Sequence, residues 1–155
     1  GPVRDYLLGH EPSDYDITTS LTPDGIKEIF KAHRTVDTGI KHGTVALILD
    51  GEQYEITTYR VDGEYADNRH PDTVCFTASL VEDLARRDFT INAMAYSHET
   101  GIVDEFGGME DLDNRMIRCI GDPAVRFQED ALRIFRAVRF SAQPARHRRN
   151  GAYRR

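Results

Sequence analysis

Two aspartates, Asp14 and Asp16, stand one residue apart in Ser13-Asp14-Tyr15-Asp16-Ile17. On a strand, residues i and i+2 point to the same face. The two carboxylates would then lie side by side, with Tyr15 and Ile17 directed into a core. Like charges that close repel, which a cation between them would explain. A small cluster of oxygen ligands suits Mg2+ or Mn2+. A solvated turn is the alternative for the pair taken alone. Glu55 lies in Tyr54-Glu55-Ile56-Thr57, between two residues that read as core-facing, and adds a third acid on the open face of a second strand. Three carboxylates on two strands suit two-metal phosphoryl transfer, in which one metal activates a hydroxyl and the other holds a triphosphate. Asp14 and Asp16 are the expected metal ligands.

A second group of charges falls on a helical stretch. At about 100° per residue, Glu129, Asp130, Arg133 and Arg136 share one arc, and Ala131, Ile134, Phe135 and Val138 occupy the opposite arc, which is expected to face a core. Glu129 and Arg133 also have the spacing of an ordinary solvated i,i+4 ion pair. His42, in Lys41-His42-Gly43, is a candidate for phosphate or nucleic-acid contact, and His70 reads as solvated. No His/Cys spacing for zinc occurs.

The elements that must carry these groups are legible in outline. Residues 3–8 read as a helix stopped by Gly9, and residues 15–19 as a strand. Thr22 and Pro23 begin a helix that reaches about residue 32. Residues 43–49 and 53–61 read as strands joined by the hairpin turn Asp50-Gly51. Residues 63–72 are polar and turn-rich. Residues 80–95 are helical or mixed, 101–106 short and extended, and Gly107-Gly108 a hinge. Helices follow over 109–116 and 124–142. An antiparallel hairpin among helices indicates an α+β domain, with a mixed, largely antiparallel sheet flanked by helices.

Composition sets the limits. With 155 residues, 39% hydrophobic and 30% charged, the chain is long enough for a core of its own. No apolar run approaches the roughly 18 residues of a membrane span, and no signal pattern opens the chain. Cys75 and Cys119 lack a C-x-x-C partner and read as reduced thiols of a cytoplasmic protein. The chain begins Gly1-Pro2 without Met and reads as the interior of a longer protein. The formal charge is −6, and the last eleven residues hold five arginines and no acid. Taking those five positive charges away leaves −11 for residues 1–144. That domain can attract cations but needs help to hold nucleic acid, whose affinity comes from Lys and Arg.

Six motifs in order carry a family resemblance. Gly1-Pro2-Val3-Arg4-Asp5, Leu7-Leu8-Gly9 and Asp14-Tyr15-Asp16 resemble the opening of class II CCA-adding enzymes and bacterial poly(A) polymerases. The order continues with Gly39-Ile40-Lys41-His42-Gly43-Thr44-Val45, Tyr54-Glu55-Ile56-Thr57-Thr58-Tyr59-Arg60 and Asp83-Leu84-Ala85-Arg86-Arg87-Asp88-Phe89-Thr90-Ile91-Asn92-Ala93. It ends with Asp104-Glu105-Phe106-Gly107-Gly108, Asp111-Leu112, Arg126-Phe127 and Glu129-Asp130-Ala131-Leu132-Arg133. The resemblance implies a polymerase-beta-like nucleotidyltransferase head over residues 1–120, the start of a helical neck over 121–143, and an atypical basic end over 144–155. It implies Asp14, Asp16 and Glu55 as catalytic acids. It also implies Gly1, Arg4, Arg86, Asp88, Asn92, Glu129, Asp130, Arg133 and Arg136 as nucleotide-binding residues. Arginine forks grip phosphate oxygens in bidentate fashion, and Arg86-Arg87 fits that use.

The implied partners are CTP, ATP and the tRNA 3′ end. Cytosine and adenine both present an amino donor beside a ring-nitrogen acceptor, whereas uracil and guanine present the reverse. A carboxylate beside a guanidinium, as in Asp130 and Arg133, matches the first two and mismatches the others. The segments at 39–44 and 91–96 look more like CCA-adding enzymes than poly(A) polymerases. Enzymes that add only CC or only A share this head, and a nucleotide-binding remnant without catalysis is the alternative of another class. After Gln143, Pro144 breaks the helical pattern. The 155 residues by themselves are expected to bind Mg2+–nucleotide weakly and to add CCA poorly.

Overall fold

The computed structural model describes residues 1–63 and 73–142. The expectations for His70 and for the basic end fall outside the described residues. The chain runs α1 (Pro2–Leu7), β1 (Asp16–Thr19), α2 (Pro23–Ile29), β2 (Arg34–Gly39), β3 (Thr44–Leu49), β4 (Glu52–Thr58), β5 (Arg60–Asp62) and β6 (Val74–Phe76). It continues with α3 (Leu80–Ala85), β7 (Ala95–Ser97), β8 (Gly101–Val103), α4 (Gly108–Asp113), α5 (Pro123–Glu129) and α6 (Leu132–Ser141). Single 3-10 turns lie at Ile40–His42 and Thr90–Asn92.

The main sheet has the order β1-β4-β3-β2, with β1 parallel to β4 and the other pairs antiparallel. The expected α+β class and mixed, largely antiparallel sheet are therefore what forms. Local chemistry explains the start of α2: Thr22 Oγ1 accepts the Gly25 N–H at 3.3 Å, and Pro23 occupies the first turn. The β3–β4 hairpin closes on Asp50 and Gly51, both with positive φ (51° and 86°), as a type I′ turn requires.

The 53–61 strand of the sequence reading is broken at Tyr59. Its N–H donates to Thr19 O at 2.7 Å, and its carbonyl accepts from Thr77 at 2.9 Å. The chain thereby leaves the main sheet, and β5 pairs with β6 instead. β2 and β6 are additions to the sequence reading.

Ile26 of α2 packs on Val45, Leu47 and Ile56 beneath the sheet. A second cluster joins Leu84, Ala93 and Ile120, and a third joins Phe89, Ile91 and Phe140. Each fully buried aliphatic side chain contributes roughly 1.5–3 kcal/mol. Gly108 is required by packing: a Cβ there would stand 2.3 Å from Thr90 O, so α4 could not approach the 3-10 turn.

The long helix expected over 124–142 is two helices. Asp130, at φ −141° and ψ 103°, is extended. Its Oδ1 accepts the Leu132 N–H at 2.9 Å, so the carboxylate competes with the helical backbone and restarts the helix. The faces of α6 are also opposite to expectation. Ile134, Phe135 and Val138 are exposed, Phe135 by 73%, whereas Arg133 is buried. The surface facing α6 offers carbonyls and a carboxylate, which select the guanidinium arc.

Candidate active site

The carboxylate side of the site is set by strand register. Asp16 of β1 is the direct partner of Glu55 of β4, and in-register neighbours on one sheet share a face about 4.8 Å apart. Both are exposed. Among the described residues, no hydrogen bond or ion pair engages either carboxylate. Asp14 precedes β1, so strand alternation does not fix its direction; it is exposed, with Ser13 Oγ 3.4 Å from its Oδ1. Tyr15 and Ile17 are 58% and 42% exposed, against the expectation that they face a core. They belong to the outer strand of the sheet and its approach, and they line a cavity of about 410 Å3 with Gly1, Arg4, Tyr96, Arg87 and Asn92. Ile56 is buried as expected, while Tyr54 is half-buried and its hydroxyl donates to Glu52.

Among the described residues, no group of three or more His, Cys, Asp or Glu side chains is gathered tightly enough to hold a metal ion. The expected three-carboxylate cluster is therefore not closed by the protein alone. The donor set still fits Mg2+, which is usually bound by one or two carboxylates, with substrate phosphates and waters completing its shell. Asp16 and Glu55 are hard oxygen donors, adjacent and otherwise unengaged.

The cationic side is built on α3 and the loop after it. Ser79 caps α3 by accepting the Glu82 N–H at 3.3 Å. The helix stops at Ala85, and Arg126 Nη2 donates to the carbonyls of Ala85, Arg86 and Arg87 at 3.4, 2.5 and 2.6 Å. These are end-of-helix acceptors of the kind that lack intrahelical partners. Arg86 and Arg87 both bond to Asp83. Asp88 is buried; its Oδ1 accepts from Phe89 N–H and Asn92 Nδ2 at 2.8 and 3.1 Å, and its Oδ2 from Arg136 Nε at 2.6 Å. Burial pushes the Asp88 carboxyl up, but Arg136, Asn92 and the Phe89 N–H outweigh it and hold it below the ordinary range. Asn92 Oδ1 accepts from Arg4 Nη1 at 2.5 Å. Arg4 is itself buried, bonded to Asp5 and stacked 4.8 Å over the Phe140 ring. Glu129 Oε2 accepts from Arg126 and Arg133, both at 2.7 Å.

These two sides meet across a cleft of about 790 Å3, within the usual size of a ligand site. It is lined by Asp16, Glu55, Arg86, Asp88, Asn92, Asp130, Arg133 and Arg136 from the sequence reading. His42, Arg60 and Arg87 line it too. Gly1 caps α1 and, with Arg4, borders the smaller cavity. Asp14 and Glu129 are not among the lining residues of the cleft. Asp83 and Arg126 lie within the ordered motifs but are not among the expected site residues. Asp83 carried a signal, since it precedes Arg86 and Arg87 by three and four residues in a helix. Arg126 carried only its i,i+3 spacing to Glu129; nothing local pointed to the carbonyls about 40 residues away. Acids facing a fixed set of guanidiniums make a place where a cation and a polyphosphate can be held together.

The family model for the poly A polymerase head domain matches residues 1–118. The CCA-adding enzyme of Levilactobacillus brevis is 56% identical over 143 residues, which are 92% of this chain and 36% of that enzyme. The crystal structure of the Bacillus stearothermophilus CCA-adding enzyme in complex with CTP is similar, with a TM-score of 0.81 and 47% identity. The match covers 92% of this chain and 33% of that one. The Thermotoga maritima CCA-adding enzyme complexed with tRNA-CCA has a TM-score of 0.70 and 30% identity, covering 95% of this chain and 33% of that one. The chain thus spans about a third of the length of these relatives. Among the described residues, no helix is long and apolar enough to cross a membrane.

Proposed function

Because the chain belongs to the poly A polymerase head-domain family, we propose that it is the catalytic head of a cytoplasmic tRNA nucleotidyltransferase that adds C, C and A to the tRNA 3′ end from CTP and ATP. The observation that carries this reading is the register pair Asp16–Glu55 facing Arg86 and Arg87 across one cleft. The similarity to CCA-adding enzymes, one of them in complex with CTP, supports the choice of reaction. Residues 1–120 are the head and 121–143 the start of a neck.

Asp14 and Asp16 would hold Mg2+ or Mn2+, with Glu55 beside them. When bound, the metal supplies charge neutralisation at the triphosphate and acidifies the attacking hydroxyl. Arg86 and Arg87 hold phosphate oxygens by charge-assisted hydrogen bonds. The buried Arg4 and Asp88 are linked through the half-buried Asn92 behind them, and Arg136 ties that chain to α6. Gly1, at the start of α1, borders the smaller cavity together with Arg87 and Asn92. Asp130 accepts the amino group of cytosine or adenine, and Arg133 donates to the neighbouring ring nitrogen. Glu129 keeps Arg133 oriented. Uracil and guanine would set donor against donor and acceptor against acceptor, a mismatch that a buried polar site rejects strongly.

Incubating the full-length protein that carries this head with Mg2+, labelled ATP and tRNA ending in C-C should label one terminal position. Tails of many adenosines would indicate poly(A) polymerase instead. Nucleotide binding with no transfer to any tRNA end would overturn the enzymatic reading in favour of a binding remnant.

A further inference from the structure

The buried carboxylate of Asp83 takes no part in the reading above, yet two arginines of the cleft bond to it. Asp83 is fully buried. Its Oδ1 accepts from Arg86 Nε at 3.0 Å, Arg86 Nη2 at 2.9 Å and the backbone N–H of Arg60 at 3.2 Å. Its Oδ2 accepts from Arg87 Nη2 at 3.4 Å. Both arginines remain partly exposed and line the cleft. We infer that Asp83 is a positioning residue that holds Arg86 and Arg87 in one preformed arrangement for the polyphosphate of the nucleotide. This inference rests on the nucleotide-site reading just given.

The physical case has three parts. Two guanidiniums on consecutive residues repel, and one carboxylate between them lets both stay together while the trio keeps a net positive charge. An arginine side chain has large rotamer freedom, so a pair ordered before binding loses less when phosphate arrives. The backbone of the pair is fixed as well, because Arg126 holds the carbonyls of Arg86 and Arg87 from the other side. Asp83 also ties α3 to β5 through the Arg60 N–H, so a purely architectural role is the rival that the test must separate.

The test is equilibrium binding of CTP, tripolyphosphate and cytidine to the 155-residue chain at fixed Mg2+, for the parent, for Asp83→Asn, and for Asp83→Asn in an Arg86→Gln/Arg87→Gln background. Asp83→Asn should weaken CTP and tripolyphosphate by about tenfold or more, roughly what one well-placed hydrogen bond to a charged group is worth. Cytidine binding should not change. In the background lacking both arginines, Asp83→Asn should have no further effect. Equal loss for cytidine and CTP, or an effect that persists without the arginines, would overturn the inference. Where Asp83→Asn does not fold by circular dichroism, Asp83→Glu keeps the charge and takes its place with the same two criteria. A parent chain that binds cytidine as tightly as CTP would overturn the nucleotide site itself. That result differs from a parent preference for CTP that the Asp83 variant retains, which overturns only the positioning role.

Discussion

At the scale of single residues, the carboxylates and the base-facing pair make separable predictions. Asp16 and Glu55 are adjacent, exposed and not bonded to any described side chain, so neither supports the fold. Asp16→Ala should therefore reduce nucleotide transfer by the full-length enzyme to below a few per cent, while the stability of this head changes by no more than about 0.5 kcal/mol, as for a surface site. Relief of repulsion from Glu55 would make the change slightly favourable. Transfer assays beside thermal unfolding check both halves, and retained transfer would remove the acid from the catalytic set. Asp130 differs, because its Oδ1 also restarts α6 through Leu132. Asp130→Ala should raise misincorporation of UTP and GTP more than it slows cognate addition, as read by competition among the four nucleotides. A cap-type loss of about 1 kcal/mol should accompany it.

At the scale of elements, α6 is joined to the head by polar contacts beside the buried Phe140. Arg136 reaches Asp88 at 2.6 Å, and Arg133 reaches Arg126 O at 2.9 Å. Arg136 is 44% exposed, so water screens its share of the pair, yet removing it leaves Asp88 buried. Arg136→Ala should cost about 1–2 kcal/mol, between the values for an exposed and a buried pair. The acid limb gives the sign. The folded Asp88 carboxyl lies below its ordinary value, so its contribution is complete above about pH 4 and is lost as pH falls further through the folded value. Thermal midpoints of the parent and of Arg136→Ala should differ from pH 5 to 8 and converge below about pH 4. A gap that widens in acid would contradict this assignment.

At the scale of the whole molecule, burial is unevenly distributed. Phe89 and Phe140 meet edge to face with centroids 6.0 Å apart in the third core cluster, whereas Phe135 on the outer side of α6 is 73% exposed. Phe89→Ala should cost about 3–5 kcal/mol. Phe135→Ser in this chain should change stability by no more than about 0.5 kcal/mol. Urea unfolding of the two variants measures both, and a large loss at Phe135 would mean that α6 buries its apolar arc after all. The net charge of −6 bears on the proposed RNA partner: a short A-form stem must be held by localised arginines and shape, not by the field of the whole domain.

The sequence by itself determined what depends on near neighbours and on the order of motifs. Thr22-Pro23 starts a helix and Asp50-Gly51 closes a hairpin because the atoms that decide each lie within a few residues. The hairpin among helices indicated the α+β class, and the ordered motifs the family. They also pointed to most of the residues that line the cleft. Tertiary structure decided the rest. β5 and β6 are three residues each, too short to show a period, and they exist through a pairing across distant sequence. The break at Tyr59 depends on Thr19 and Thr77, which no local pattern around Tyr59 contains. The two arcs of α6 were visible as pattern, but a pattern does not say which arc is buried. That was settled by the surface opposite, where Asp88 and the carbonyls at residues 86 and 126 require guanidiniums. For the same reason Arg133 is enclosed and Phe135 faces outward.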